Sequence, residues 1–198
     1  MMKKLLTTIS LALTLCLSLT TVFAAPSINK NGAVKKDSIL INGEKVDANT
    51  TAAFDSKKET YSAAGVSDEI IDVIEKVNAN PSQLASLIKG VDLSGYSLLT
   101  EFQDLSVYVN GELKQKVKNV TLTWEVPNLV KTAKNVKVLH YSTERNTWEI
   151  LTPKSVDFDN KTITQEFKDL SPVAVIYQAG DANANKNGTK ANSTKTGD

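Results

Sequence analysis

The run Val117-Lys118-Asn119-Val120-Thr121-Leu122-Thr123-Trp124-Glu125-Val126 decides how this chain is read. Val120, Leu122, Trp124 and Val126 recur at every second position, with Thr121, Thr123 and Glu125 between them. A period of two belongs to extended backbone with one face buried, because successive side chains of a strand point to opposite sides. The same period predicts strands at 98–109, 117–126, 136–141, 147–151, 155–158, 162–167 and 173–177. Asn110-Gly111, Glu144-Arg145-Asn146 and Asp159-Asn160 supply turn chemistry at three of the junctions. The alternation buries Trp124, pairs Trp148 with Ile150 and Val156 with Phe158, and pairs Ile163 with Phe167. Short antiparallel strands at this spacing predict a mainly β fold, an immunoglobulin-like antiparallel β-sandwich spanning 91–178.

Working outward, residues 59–90 change to helical spacing and form a short two-helix segment ahead of the sandwich. Ser67 is placed to cap a helix, Asp68 and Glu69 suit its positive end, and Ile70, Val73, Ile74 and Val77 share a face. Asn80 and Pro81 open a second helix with a Leu84, Leu87 and Ile88 stripe, which Lys89-Gly90 closes. These stripes are expected to pack on the β domain. Residues 25–58 read as a linker or arm with a small hairpin, 39–41 with 45–46, about Asn42-Gly43. Residues 179–198 contain no apolar side chain larger than Ala and read as a disordered tail.

At the start, Lys3 and Lys4 precede an apolar run over 5–19, and Val22-Phe23-Ala24 presents a cleavage-like end. Residues 1–24 are therefore expected to be a signal peptide removed before Ala25, leaving 198 − 24 = 174 residues. The only cysteine, Cys16, falls in the removed part, so the secreted form would hold no thiol or disulfide. Lipid attachment at Cys16 is disfavoured by Leu15 before it, and the Ser and Thr content of the run disfavours a retained anchor. The expected location is outside the cell, with surface or wall association as a further expectation and no membrane segment after cleavage.

The chemistry available is narrow. With 23 Lys and Arg against 22 Asp and Glu, net charge is +1, which offers no attraction for nucleic acid. The sole histidine, His140, follows Val136 and Val138 on the inner face without a nucleophile signature, so it reads as structural and no catalytic residue is assigned. One histidine and no retained cysteine exclude the usual zinc sets, and Asp181 to Asn185 only loosely imitate a calcium loop, with Lys186 where Gly belongs. The carboxylate pairs Asp157 with Asp159 and Asp68 with Asp72 carry no sign of a cleft in the sequence, and Asp157 and Asp159, which flank Phe158, read as a solvated face. No Gly-rich phosphate loop follows a strand, so neither a metal nor any other cofactor is expected. What remains is two aromatic side chains in outward phase, Tyr108 and Tyr141, as candidate ligand-binding residues for a glycan.

Four stretches, 91–100 (VDLSGYSLLT), 121–129 (TLTWEVPNL), 138–153 (VLHYSTERNTWEILTP) and 169–177 (DLSPVAVIY), together resemble an uncharacterised β-sandwich module of secreted and cell-surface proteins in clostridia-like Gram-positive bacteria. The resemblance implies location and architecture, and carries no activity with it. Lys195-Thr196-Gly197 is similar to the core of a sortase signal, although Thr194 stands where Pro is expected and no hydrophobic segment follows in this sequence. The expected function is a noncatalytic secreted or surface module for extracellular interaction or display. The alternative is glycan binding or adhesion through the outward aromatics. The partner is an extracellular protein or a glycan, and no oligomeric state follows from the sequence.

Overall fold

The computed structural model describes residues 28–114 and 116–179. The expected leader, nearly all of the expected tail, the calcium-like loop and Lys195, Thr196 and Gly197 lie outside the described residues. In chain order the elements are β1 (Leu40–Ile41), β2 (Glu44–Lys45), β3 (Thr50–Asp55), α1 (Lys58–Ala63), α2 (Asp68–Ala79), α3 (Leu84–Leu87), β4 (Tyr96–Leu98), β5 (Gln103–Val109), β6 (Glu112–Lys114), β7 (Lys118–Glu125), β8 (Ala133–Ser142), β9 (Thr147–Leu151), β10 (Ser155–Asp157), β11 (Thr162–Asp169) and β12 (Pro172–Ala179). Short 3₁₀ turns at Lys36–Ser38 and Pro81–Gln83 complete the set.

Two antiparallel sheets pack as a sandwich. The five-stranded sheet runs β10-β11-β7-β1-β2, and the seven-stranded sheet runs β3-β5-β12-β8-β9, with β4 added to β12 and β6 to β5. The alternation in β7 sets the first core: Val120, Leu122 and Trp124 are fully buried, and β11 brings Ile163 opposite Trp124 and Phe167 opposite Val120. Leu105, Val138, Val173 and Val175 meet them from the other sheet.

The outer face of the seven-stranded sheet carries a second core. Leu139, Tyr141, Trp148, Ala174 and Ile176 pack there against Tyr61, Ile71, Ile74, Val77, Leu84 and Ile88 of the helical segment. Residues 173–177 of β12 are consequently buried on both faces, which is why Val, Ala, Val, Ile and Tyr follow one another without a polar break.

Several expectations are corrected here. The strand foreseen at 98–109 is two, because residues 99–102 leave the ladder. Thr100 Oγ1 takes the Val175 N–H at 2.8 Å, and Asn78 grips the Phe102 backbone, its Oδ1 accepting N–H at 2.8 Å and its Nδ2 donating to C=O at 3.0 Å. Residues 25–58, foreseen as a linker or arm with a small hairpin, hold that hairpin and a third strand, β3, that was not foreseen. Asn42 and Gly43, both at positive φ, close β1 on β2, but β1 also pairs with β7, and β3 pairs with β5 along its whole length. Ahead of them, Gly32 lies so near β7 that an added Cβ would sit 2.7 Å from Glu125 Cβ. Asn31 accepts the Trp124 indole N–H at 3.0 Å, so the arm is stitched to the deepest residue of the core. Strand β3 escaped the pattern because Thr50-Thr51-Ala52-Ala53 carries no large apolar side chain; Ala52 and Phe54 reach the core, the Phe54 ring 5.8 Å from Trp124. Ser67 and Asn80 do occupy N-cap positions, but neither makes a side-chain capping bond.

Candidate functional site

Tyr141 alternates with Val138 and His140 as foreseen, yet it is not exposed, because α2 and α3 cover the face it occupies. Its ring meets Trp148, its cross-strand neighbour, edge to face at 5.1 Å, and Trp148 meets Phe102 at 5.3 Å. The two residues keep only 7% and 8% of their surface. Burial raises the Tyr141 phenol above its ordinary pKa. Trp148 thereby moves from the sandwich core, where the alternation put it, to the helix-facing core.

Between this aromatic pair and the helices a groove of about 330 Å³ stays open. Half-buried Ile70, Val73 and Leu87 give it an apolar wall, the exposed edges of Tyr141 and Trp148 give the opposite wall, and Glu69, Lys89 and Asn146 stand at its rim. The wall exists because α2 turns Ile71, Ile74 and Val77 fully inward and leaves its flanking apolar positions half covered. Such a surface, apolar with a few polar groups at the margin, suits a ligand that offers an apolar side chain and hydrogen-bonding groups beside it.

Tyr108 is half-buried on the same sheet face, between Thr51 of β3 and Leu113 of β6, and Leu113 is 38% exposed. Tyr141 lies beside Pro172, which pairs with Asp104, so the two tyrosines are separated by four residues along the strand and two strand spacings. That distance is roughly 16 Å. The structure does not bring them together on one platform.

His140 heads a polar cluster at one end of the inner core. Its Nε2 is 2.8 Å from Ser171 Oγ and its Nδ1 3.4 Å from Glu149 Oε2, an arrangement with the outline of a hydrolytic triad. The chemistry does not follow. Ser171 is fully buried and its hydroxyl donates to the Tyr141 carbonyl, so the His140 Nε2–H donates to Ser171 rather than accepting its proton. Burial, opposed by Asp169 and Glu149, holds the His140 pKa below its usual value. Arg145 clasps Glu149 through two bonds of 2.7 and 2.9 Å and reaches Asp169 at 2.6 Å, while Ser142 donates to Asp169 at 2.8 Å. The hydrogen bonds from Arg145 are the main cause that lowers the Glu149 pKa. The cluster ties β8, β9 and the β11–β12 corner together.

A second buried acid lies across the sheet. Asp104 on β5 is opposite Asp55 on β3; its Oδ2 accepts the Ser106 hydroxyl at 2.6 Å and its Oδ1 has no hydrogen-bond partner among the described residues. Burial, helped by Asp55 and opposed by Ser106, pushes this carboxyl up to about 6. Nothing in the sequence pattern singled it out: Gln103-Asp104 falls inside the strand foreseen at 98–109 as a polar pair with no motif, and its burial depends on packing that the alternation does not report.

The carboxylate pairs serve the fold. Asp157 keeps its carboxylate at the surface and caps the β10–β11 turn by accepting N–H groups of Asp159 and Asn160, which lowers its pKa through Asn160 first. Asp159 pairs with Lys131 at 2.6 Å, and Asp68 with Lys58 at 3.6 Å. Among the described residues no group of three or more His, Cys, Asp or Glu is placed to hold a metal, and no helix is long and apolar enough to cross a membrane.

The class defined by these features is a mainly β protein, a two-sheet sandwich preceded by short helices. Compared with protein-family models, curated proteins and solved structures, the chain matches none of them.

Proposed function

We propose that this chain is a noncatalytic extracellular interaction module that recognises a partner polypeptide through the groove between α2, α3 and the β8–β9 turn. The observation that carries the reading is the contrast between the two places with chemical potential. His140 and Ser171 are sealed in the core, with Glu149 partly exposed but held by Arg145, whereas the aromatic and aliphatic groove opens to solvent with Glu69, Lys89 and Asn146 at its rim. The apolar run at 5–19 behind Lys3 and Lys4 and the cleavage-like Val22-Phe23-Ala24 support export. The resemblance to Gram-positive surface modules and the immunoglobulin-like assignment belong to the same reading. Glycan binding is less favoured: stacking on a sugar needs an open ring face, and Tyr141 and Trp148 spend theirs on each other and on Phe102.

The reading is tested by placing a photo-crosslinking residue at Asn146 or, as control, at Asn160, and irradiating the protein in its own culture after separating medium, membrane and wall. A discrete adduct from position 146 and none from 160, on a chain whose mass begins at Ala25, is expected. Equal adducts from both positions, or an unprocessed chain held in the cytosol, would contradict it. A hydrolase activity lost in a folded His140→Ala variant would overturn the noncatalytic assignment.

A further inference from the structure

Among the described residues six strands pair on one side only, and five of them carry features that block the addition of another strand; β4 and β6, which pair only with β12 and β5, are three residues long. Strand β2 is two residues long and wholly charged, Glu44–Lys45. Strand β10 has three residues and ends in the Asp157 turn cap. Strand β9 holds Glu149 at its centre, clasped by Arg145. Short length and charge are the usual protections of a sheet edge. Strand β3 has neither: Thr50-Thr51-Ala52-Ala53-Phe54 is uncharged up to Asp55, spans six residues, and leaves Thr51 and Ala53 exposed. Among the described residues it pairs only with β5.

We infer that the β3 edge is a self-association surface, and that its occupant is the β3 strand of a second copy of this chain, paired antiparallel about a two-fold axis. An axis through Ala53 keeps the faces of the two sheets in phase, since partners then differ by an even number of residues. It sets Thr51 opposite Asp55 of the second copy and Ala52 opposite Phe54, a hydroxyl against a carboxylate and a methyl against a ring, with no like charges face to face. The pairing would join the two seven-stranded sheets into one. One six-residue edge covers much less than the roughly 1,600 Å² typical of stable complexes, so the dimer is reversible.

Sedimentation equilibrium of the chain purified from its own cells, from about 2 μM to about 500 μM, tests this. The weight-average mass should rise towards twofold, the rise should vanish in Ala53→Lys and persist in Ala53→Ser, and both variants should keep the wild-type melting temperature because the Ala53 side chain is exposed. Hydrogen exchange at β3 should slow as concentration rises. One constant monomer mass, or a dimer that survives Ala53→Lys, would overturn the inference. Full protection of the β3 edge at the lowest concentration would also overturn it, by showing that the chain's own residues occupy the edge.

Discussion

The two faces of the seven-stranded sheet are both buried, but they are built on different terms. The inner face meets a second sheet through interdigitated large side chains, Trp124, Phe167, Val138 and Val175, with polar groups gathered at one end around His140. The outer face meets three short helices through Phe102, Trp148, Tyr141 and Tyr61, and keeps an open groove at one side and an incompletely bonded carboxyl, Asp104, at the other. The inner face therefore holds the fold together. The outer face is where surface remains for binding, and where burial leaves electrostatic strain.

The largest test of this contrast is Trp124→Ala. It removes the fully buried ring that touches Phe54 and Phe167 and leaves the Asn31 carbonyl without its indole donor. A loss of about 3–5 kcal/mol is expected in denaturant unfolding. On the outer face Asp104→Asn should go the other way. The Asp104 pKa rises from 3.8 to about 6 on folding, so the folded state binds the extra proton between those values. Stability is lost as pH climbs through that window, by about 3 kcal/mol at pH 7. The variant should melt higher than wild type at pH 7 and equally at pH 3, and a parallel shift at both pH values would break the account.

His140 on the inner face imposes the opposite slope. Its folded pKa lies below the ordinary 6.5, so the unfolded chain binds the proton first and stability falls as pH drops below about 6.5. In the Asp104→Asn background His140→Gln should flatten that acid limb, whose steepness is at most about 1.4 kcal/mol per pH unit. Smallest of all, Arg145→Lys cannot reproduce the clasp on Glu149 and Asp169, and about 1 kcal/mol should be lost in thermal melts. Full retention of stability would show that the clasp contributes nothing to the inner end.

Legibility in sequence followed the same division. Val120, Leu122 and Trp124 announce the inner face because one pair of sheets imposes one simple period. Tyr141 shows why the outer face is harder: its phase was readable, but its exposure depended on helices some seventy residues upstream. The unbroken 173–177 run was a usable sign of a strand covered on both sides. Thr50-Thr51-Ala52-Ala53 gave no such sign, since small side chains pair through backbone and leave no hydrophobic period. The His140 cluster could not be assembled from spacing, because Ser171, Glu149 and Asp169 meet it only through sheet register.

The helical segment seals the outer face, which should make β12 the most protected strand among the described residues. Native-state hydrogen exchange across a denaturant series measures this directly. The exchange-protected amides of residues 173–177 should open only with global unfolding, together with those of β7. Exchange of β12 by a local opening insensitive to denaturant, while β7 stays protected, would mean that the helices are not part of the packed structure.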